Sequence, residues 1–587
     1  MRSTKAEAVV VGGGLGGVAA ALALTDMGAR TILVAHDEWL GGQATTQAVP
    51  PDEHPWIESL GYTRRYGELR FRVRDHYRRA HALTEAARYN GQLNPGMARV
   101  SRLSAEPRVW ARALDDMVAP AEHAGLLTII RGAVPVAADV DGDEIRAITV
   151  RPHGGGPLGA VQAAAESASD RDDIVIDGRY FLDATEFGDL VELAGVESVV
   201  GAESRDQTGE MHAADREDER DQQAVSWCCA LEMCPGEDHT IPRPGDYDAW
   251  RTHTLPGWPG PLFSWTDVAP DTNAPRFKSL MEFERNELGR DEFSLWIYRR
   301  MRAASVYTDP DSVREATLVN WVHIDYTDSP LVGVTRAERA AALAGARAQT
   351  RAFVHWVQTE APRHDGGAGY PEVRLAGEAL GTNDGLAREV YVREARRIRA
   401  LRTITESDVG VEMRADREPG AHQFADSVGV GSYRIDLHPS PIGRLYVDVS
   451  TWPFQIPLRA LIPVRMRNLL AAAKNIGTTH VTNGCYRLHP IEWNIGEAAG
   501  VAAAHALGMS SPRASGRSGQ PGGEPAGGAA AASSGLRTVL PAQALAEGDH
   551  LADIQRVMAG DRGADLAWPR WARVTPRLGA EMPGQRS

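Results

Sequence analysis

Within one short stretch, "GTTHVTNGCYRLHP", the sequence gathers His480, Tyr486, Arg487 and His489. An imidazole, with an ordinary pKa of about 6.5, is suited to take a proton from a substrate near neutral pH. A guanidinium can grip a carboxylate or phosphate through two parallel hydrogen bonds. The stretch thus holds the parts of a site that deprotonates an anchored small molecule, with His480 or His489 as the base and Tyr486 and Arg487 beside it. Plainer roles stay open. The histidines could bond backbone or cofactor oxygens without moving a proton, and Arg487 could pair with Glu492 or with a pyrophosphate.

Such residues need a scaffold, and the N-terminal segment supplies its first piece. "AEAVVVGGGLGGVAAALALTDMGA" reads as a buried strand, a tight turn and an Ala/Leu helix ending at Gly28, and "RTILVA" follows as a second strand. Gly12, Gly14 and Gly17 have the GxGxxG spacing between strand and helix. The first permits the sharp turn, the second lets the backbone approach a pyrophosphate, and the third lets the helix pack close to the strand. The helix N-terminus then offers free N–H groups and a partial positive charge. A ribose-binding carboxylate is expected at the end of the second strand, yet Ala35 stands there, 18 residues after Gly17. His36, Asp37 and Glu38 follow at once and could curl back to replace it. The loss of one charged hydrogen bond costs roughly 1.5–3 kcal/mol, which a large dinucleotide tolerates.

Three features favour FAD over NAD. Gly41 and Gly42, in "EWLGGQATTQ", let the chain run close to a long cofactor. A β-meander, "LLTIIRGAVPVAADVDGDEIRAITVRPHGGG", precedes "FLDATEFGDL". The segment Asn468–Leu507 ends in a small-residue helix, expected to begin near Gly496 with its positive end toward a reduced flavin. Within GGQATTQ, Gln43 could bond the ring and Gln47 a substrate.

With these elements the chain resembles the FAD-dependent oxidoreductase family of the glutathione-reductase-like superfold. The resemblance rests on GGGLGG, "LGGQATTQAVPPDEHPW", "DATEFGDL" with "GAESRDQTGE", "YVREARRIRA", "ADSVGVGSYRIDLHPS" and "KNIGTTHVTNGCYRLHPIEWNIGEAAG", and covers most of residues 5–507. It implies an α/β fold: a Rossmann-like FAD-binding domain (parallel sheet plus β-meander) with an inserted α+β substrate domain. The expected division is 1–50, 110–190 and 440–508 for the FAD domain, 51–109 and 191–439 for the substrate or cap domain, 509–536 for a flexible linker and 537–587 for a helical tail. FAD contacts are implied at Gly12, Gly14, Gly17, Gly41, Gly42, Gln43, Val134, Ala184, Thr185, Glu186 and Gly496, with His36, Thr46 and Asn475 completing the expected set. Glu186 departs from the family pattern, standing where a glycine is frequent. The family's reactions are diverse, so no substrate carries over.

The rest of the sequence bounds this reading. The chain has 587 residues, 43% hydrophobic and 24% charged, with a net charge of −15, a balance that disfavours nucleic acid or an anionic membrane as partner. Four cysteines, no CxxC pair and no signal-peptide pattern suggest a cytoplasmic protein. Cys228 and Cys229 are expected as buried thiols. The arginines of "VREARRIRALR" are expected on a surface helix, with Arg393 or Arg397 facing a cleft as the sharper alternative. The aromatics of "NWVHIDY" and "SLWIYRR" suit either a pocket or a core. No zinc-type His/Cys spacing stands out, so no metal is expected. One GxGxxG turn argues against a separate NAD(P)H domain. The expected function is removal of a hydride from a CH–OH or CH–NH carbon of a small polar metabolite, with the flavin reoxidised by oxygen or another acceptor. Alternatives are a flavin-dependent monooxygenase and a catalytically inactive flavin-binding scaffold.

Overall fold

The strand Ala8–Val11 (β1) is four apolar residues long and fully buried, as a strand covered on both faces must be. A computed structural model describes it within residues 2–153, 172–281, 294–363, 365–509 and 539–572. Through Gly12–Gly14 the chain enters helix α1 (Leu15–Asp26), buried along nearly its whole length. Thr31–Val34 (β2) pairs parallel with β1. Helix α2 (Arg64–Ala80) starts at Thr63, whose side chain accepts from the Tyr66 N–H, and α3 (Pro107–His123) starts on a proline, where no N–H is needed. Leu127–Ile130 (β3) pairs parallel with β2. "LLTII" therefore belongs to the parallel sheet. The excursion that follows is the antiparallel hairpin of Ala133–Asp141 (β4) and Glu144–Pro152 (β5). Tyr180–Asp183 (β6) then pairs parallel with β1.

Beyond residue 191 a second core forms. Cys229–Met233 (β7), Arg300–Arg302 (β8), Ala316–Val319 (β9) and Val373–Leu375 (β10) make an antiparallel sheet in the order β8-β9-β7-β10. Helix α4 (Arg336–Thr359), begun by a Thr335/Glu338 capping box, contributes Phe353 and Trp356 to a core shared with Trp227, Trp265 and Trp321. Cys228 and Cys229 are buried and unpaired here, and burial pushes the Cys228 thiol up to about 12. A short hairpin follows, Ile435–Leu437 (β11) with Val447–Val449 (β12). The arginine-rich run from 393 to 402 is not a surface helix. It is largely extended, and Arg393 and Arg397 are among the most buried large side chains of the protein.

Leu469–Ala471 (β13) closes the parallel sheet, in the order β13-β6-β1-β2-β3. Helices α5 (His480–Tyr486) and α6 (His489–Ala506) follow. Helix α6 thus begins two turns earlier than expected. Gly496 and Gly500 lie on one face of it, where a Cβ would overlap the Gly16 and Ala20 carbonyls, so Gly496 is a helix-packing glycine against α1. The apolar side chains of residues 51–109, grouped with the second region in the sequence reading, join the core of the parallel sheet through Ile57, Tyr66, Leu69 and Val73. So does helix α7 (Gly548–Gly560), through Ile554 and Met558. The inferred insert at 154–173 lies almost wholly, and the inferred linker almost wholly, outside the described residues. Among the described residues no helix is long and apolar enough to cross a membrane.

Candidate active site

A narrow cleft opens at the carboxyl ends of β1, β2 and β6, where the sheet's crossovers diverge and nucleotides bind in such folds. Gly12, Gly14, His36, Val134, Ala184, Thr185 and Glu186 line it together. Gly12 has a φ of +114°, and a Cβ there would overlap the Ala184 carbonyl. A Cβ on Gly17 would overlap the Gly12 carbonyl, so Gly17 serves close helix–turn packing. The second glycine pair is stitched to the first. The Gly41 N–H donates to the Gly13 carbonyl at 2.7 Å, and Gly41 and Gly42 both have positive φ. Asp183 shapes the far wall by accepting from the Thr185 N–H at 2.8 Å and hydroxyl at 2.7 Å; burial lifts its pKa to about 6. Asn475 donates to the Asp183 carbonyl at 3.1 Å and Thr46 to the Gly42 carbonyl at 3.4 Å, so both tie loops of the cleft together.

Glu186 does not stand alone. Its carboxylate pairs with the buried ammonium of Lys474, three residues past β13. Burial works against that charge, but Glu186 and then Glu492 hold Lys474 above its ordinary value. Glu492 accepts from the Gly16 N–H at 3.1 Å, in the first turn of α1, and from the Gln43 amide. Burial, with Lys474 acting against it, raises the Glu492 pKa. Gln43 also donates to the Arg487 carbonyl at 2.9 Å. Glu492 is thus a partner of Gln43 and the glycine turn, not of the Arg487 guanidinium.

The residues expected to carry the chemistry are each engaged elsewhere. His489 accepts from the Asp52 N–H at 3.3 Å and donates to the Val49 carbonyl at 3.0 Å. Burial drops its pKa to about 4. His480 is held at both ring nitrogens, by Glu394 at 2.9 Å and Arg444 at 3.1 Å. Tyr486 stacks on Phe454 with ring centroids 4.2 Å apart and donates its hydroxyl to the Gln455 carbonyl at 2.7 Å. Arg487 reaches the Asp436 carboxylate at 3.4 Å and the Tyr391 hydroxyl at 3.3 Å.

One histidine that the spacing argument passes over has a different environment. His438, one residue past β11, places Nδ1 2.6 Å from Asp325 Oδ2. Burial works to raise the Asp325 pKa, but Arg393 and then His438 hold it below its ordinary value. The carboxylate is therefore ionised and accepts the Nδ1 hydrogen, which turns Nε2 away from Asp325. That nitrogen lies 3.7 Å from Asp436, too far for a hydrogen bond. His438 and Asp436 keep 17% and 13% side-chain exposure, against 3% or less for Asp325, Arg393 and Arg487, so they mark the open side of the cluster. Tyr391 joins this cluster to the cofactor side, donating its hydroxyl to Gln43 at 3.3 Å.

A family model, FAD dependent oxidoreductase, matches residues 7–514. The chain belongs to the FAD-dependent oxidoreductase family. Among curated proteins no relative matches it. Similar solved structures include L-proline dehydrogenase from P. horikoshii, at 11% identity and a TM-score of 0.16, covering 34% of this chain and 24% of that one. The Mycobacterium smegmatis Sdh1 complex matches at 12% identity and a TM-score of 0.21, covering 40% and 42%. The p-nitrophenol 4-monooxygenase PnpA of Pseudomonas putida matches at 14% and 0.22, covering 39% and 48%. The chain thus spans less than half of each of these three proteins.

The cleft fits FAD on its own chemistry. The Gly12–Gly14 turn at the start of α1 suits a pyrophosphate; of the two carboxylates beside it, Glu186 is paired with Lys474, and Glu492 holds the Gly16 N–H with its pKa raised by burial. His36 answers the missing acid at Ala35. It is half-buried, it lines the cleft, and its buried Nε2, 3.6 Å from Glu389, makes no hydrogen bond, so it can serve a ribose hydroxyl. Burial keeps this imidazole neutral by lowering its pKa. In the second region, Cys234, Glu237 and His239 bring possible ligand atoms within 4.8 Å of one another, but Arg314 already holds Glu237 at 3.0 Å.

Proposed function

We propose that this FAD-dependent oxidoreductase removes a hydride from a CH–OH or CH–NH carbon of a small polar metabolite, with His438 as the base. FAD, when bound, supplies the two-electron acceptor. His438 takes the substrate's O–H or N–H proton at Nε2. Asp325 fixes the ring's tautomer and stabilises the imidazolium that forms, the division of labour of a carboxylate–histidine pair. Arg393, 3.2 Å from Asp325, keeps that carboxylate charged through the cycle. The substrate and cap role proposed for residues 191–439 accords with this, since Asp325, Arg393 and His438 all come from them. With one GxGxxG turn in the sequence, reoxidation by oxygen or another small acceptor is the simplest route.

The observation that carries the proposal is the His438–Asp325 contact at 2.6 Å with Nε2 left without a hydrogen bond on the open side of the cluster. The test is anaerobic mixing of the FAD-loaded protein with alcohols and amines while the flavin absorbance is followed. Bleaching by a CH–OH or CH–NH compound, with the carbonyl or imine as product, is the expected result. If reduction occurs only with NAD(P)H and labelled oxygen enters the product, the protein is a monooxygenase and the proposal fails.

A further inference from the structure

The first turn of α1 can lend its backbone N–H groups to an anion, since they have no partner inside the helix. One of them is already engaged. The Gly16 N–H donates to Glu492 Oε1 at 3.1 Å, while Glu492 Oε2 accepts from the Gln43 amide. Gly14 leads to the same place. A Cβ there would lie 3.1 Å from Glu492 Oε1 and 3.4 Å from Glu186 Oε1, and Gly14 is the glycine whose missing side chain lets the turn approach a pyrophosphate. Two carboxylates thus border the part of the turn suited to a doubly negative group.

One buried ammonium serves both carboxylates: Lys474 pairs with Glu186 and also attracts Glu492. On the side of the GGQATTQ loop, Gln43 is uncharged, and Tyr391 donates its hydroxyl to it at 3.3 Å. Arg487 gives Gln43 only its carbonyl and turns its guanidinium to Asp436 at 3.4 Å. Among the other residues that line the cleft, Asp189 lies 3.4 Å from Arg339, and His36 lies 3.6 Å from Glu389. Burial raises the Glu492 pKa, Lys474 works against the rise, and Glu186 adds to it. A pyrophosphate near Glu492 acts in the same direction as Glu186, because a like charge favours the protonated acid.

We propose that Glu492 is a proton-linked gate of the FAD site: its carboxylate competes with the pyrophosphate for the first turn of α1 and gives way by taking up one proton from solvent as FAD binds. One O–H bond forms on the Glu492 carboxyl, the Gly16 N–H is freed, and nothing is oxidised or reduced. The bound state thus has the higher Glu492 pKa. Affinity is then fully present below the pKa of the FAD-free protein and falls as the pH rises toward that of the FAD-bound one. The proposal depends on FAD as the cofactor and not on the identity of the substrate or the base.

The test follows FAD release from the FAD-loaded full chain on serial dilution, read by the fluorescence of free flavin, at intervals from pH 6 to pH 8.5. The Kd of the wild type should rise by at least about tenfold across this range, the linkage of one proton. A flat profile overturns the proposal without any variant. Glu492→Gln keeps an oxygen that can accept the Gly16 N–H but carries no charge. It should hold FAD at least about tenfold more tightly than the wild type at pH 8.5 and show no pH slope, with folding checked by circular dichroism at the same dilutions. A slope that survives in Glu492→Gln assigns the proton to Glu186 or His36 and overturns the proposal. Affinity equal to or weaker than wild type in the folded variant also overturns it, because Glu492 would then support the turn rather than compete for it.

Discussion

The cofactor cleft and the His438 cluster are built in opposite ways. The cleft is made of backbone: glycines at positive φ, carbonyls a Cβ would strike, and the N-terminus of a helix. The cluster is made of long side chains from Asp52, Arg299, Asp325, Arg393, Asp436 and Arg487, held together by charge. A backbone-built site depends on a few consecutive residues that can be nothing else. A side-chain site depends on segments hundreds of residues apart, and each segment by itself looks ordinary.

Substitutions at the glycines should break the first kind of site completely. Gly12→Ala puts a Cβ into the Ala184 backbone and should yield protein without bound FAD, read as the loss of flavin absorbance after purification. Gly14→Ala separates folding from binding. Its Cβ would meet only the Glu492 and Glu186 carboxylate oxygens, at 3.1 and 3.4 Å. The variant should fold, by circular dichroism, yet bind FAD at least about tenfold more weakly because the pyrophosphate loses its close approach. Normal FAD affinity in Gly14→Ala would remove this turn from the cofactor site.

The side-chain site should fail in rate while keeping its cofactor. His438→Ala should slow anaerobic flavin reduction by about 10²–10⁴, the usual worth of a positioned base, with FAD content unchanged. His480→Ala should leave the chemistry nearly intact and act mainly on stability, since both ring nitrogens serve Glu394 and Arg444. If the two variants exchange these phenotypes, the base is His480 and the assignment made from geometry is wrong.

What was legible in the sequence follows the same division. Gly12, Gly14, Gly41 and Gly42 announced the strand–turn–helix and the second turn because spacing and residue type are fixed there by sterics. Three signals misled. The small-residue run around Gly496 marks where α6 packs on α1, so it falls in the middle of the helix rather than at its start. The arginines after 392 have helical charge density, but their carboxylate partners at Glu203, Asp325 and Glu394 draw them inward on an extended chain. The crowding of His480, Tyr486, Arg487 and His489 reflects a well-packed segment beside the cofactor. His438 had a weaker trace, the alternation Asp436-x-His438 that places both on one side of an extended strand. Asp325, its partner 113 residues earlier, leaves no local sign.

Acid titration probes the buried ion network around Glu394. Burial works to raise the Glu394 pKa, but His480 and then Arg397 hold it at about 2. In the unfolded chain a glutamate titrates near 4.3, so the folded state binds this proton less readily. The stabilisation, about 3 kcal/mol at 1.36 kcal/mol per unit, is fully present above pH 4.5 and is lost as the pH falls through 2. Urea unfolding between pH 5 and 2.5 should show this loss, and Glu394→Gln should flatten that part of the curve at the cost of lower stability at pH 7. A profile unchanged by the substitution would take Glu394 out of the acid response.

The smallest expected effect lies at His36, one of the side chains that line the cleft. His36 stands next to Ala35, where related turns carry an acid, and its unpartnered Nε2 is the group available for a ribose hydroxyl. A neutral hydrogen bond of this type contributes about 0.5–1.5 kcal/mol. His36→Ala should therefore weaken FAD by roughly 2- to 12-fold, measured by the quenching of flavin fluorescence, and should leave the rate of reduction of the loaded enzyme unchanged. Since burial lowers the pKa of this imidazole, any pH dependence of wild-type affinity through this residue should fall below the ordinary imidazole range. A loss of affinity far beyond this range would mean that His36 holds the turn itself. No loss at all would return the ribose to Asp37 or Glu38.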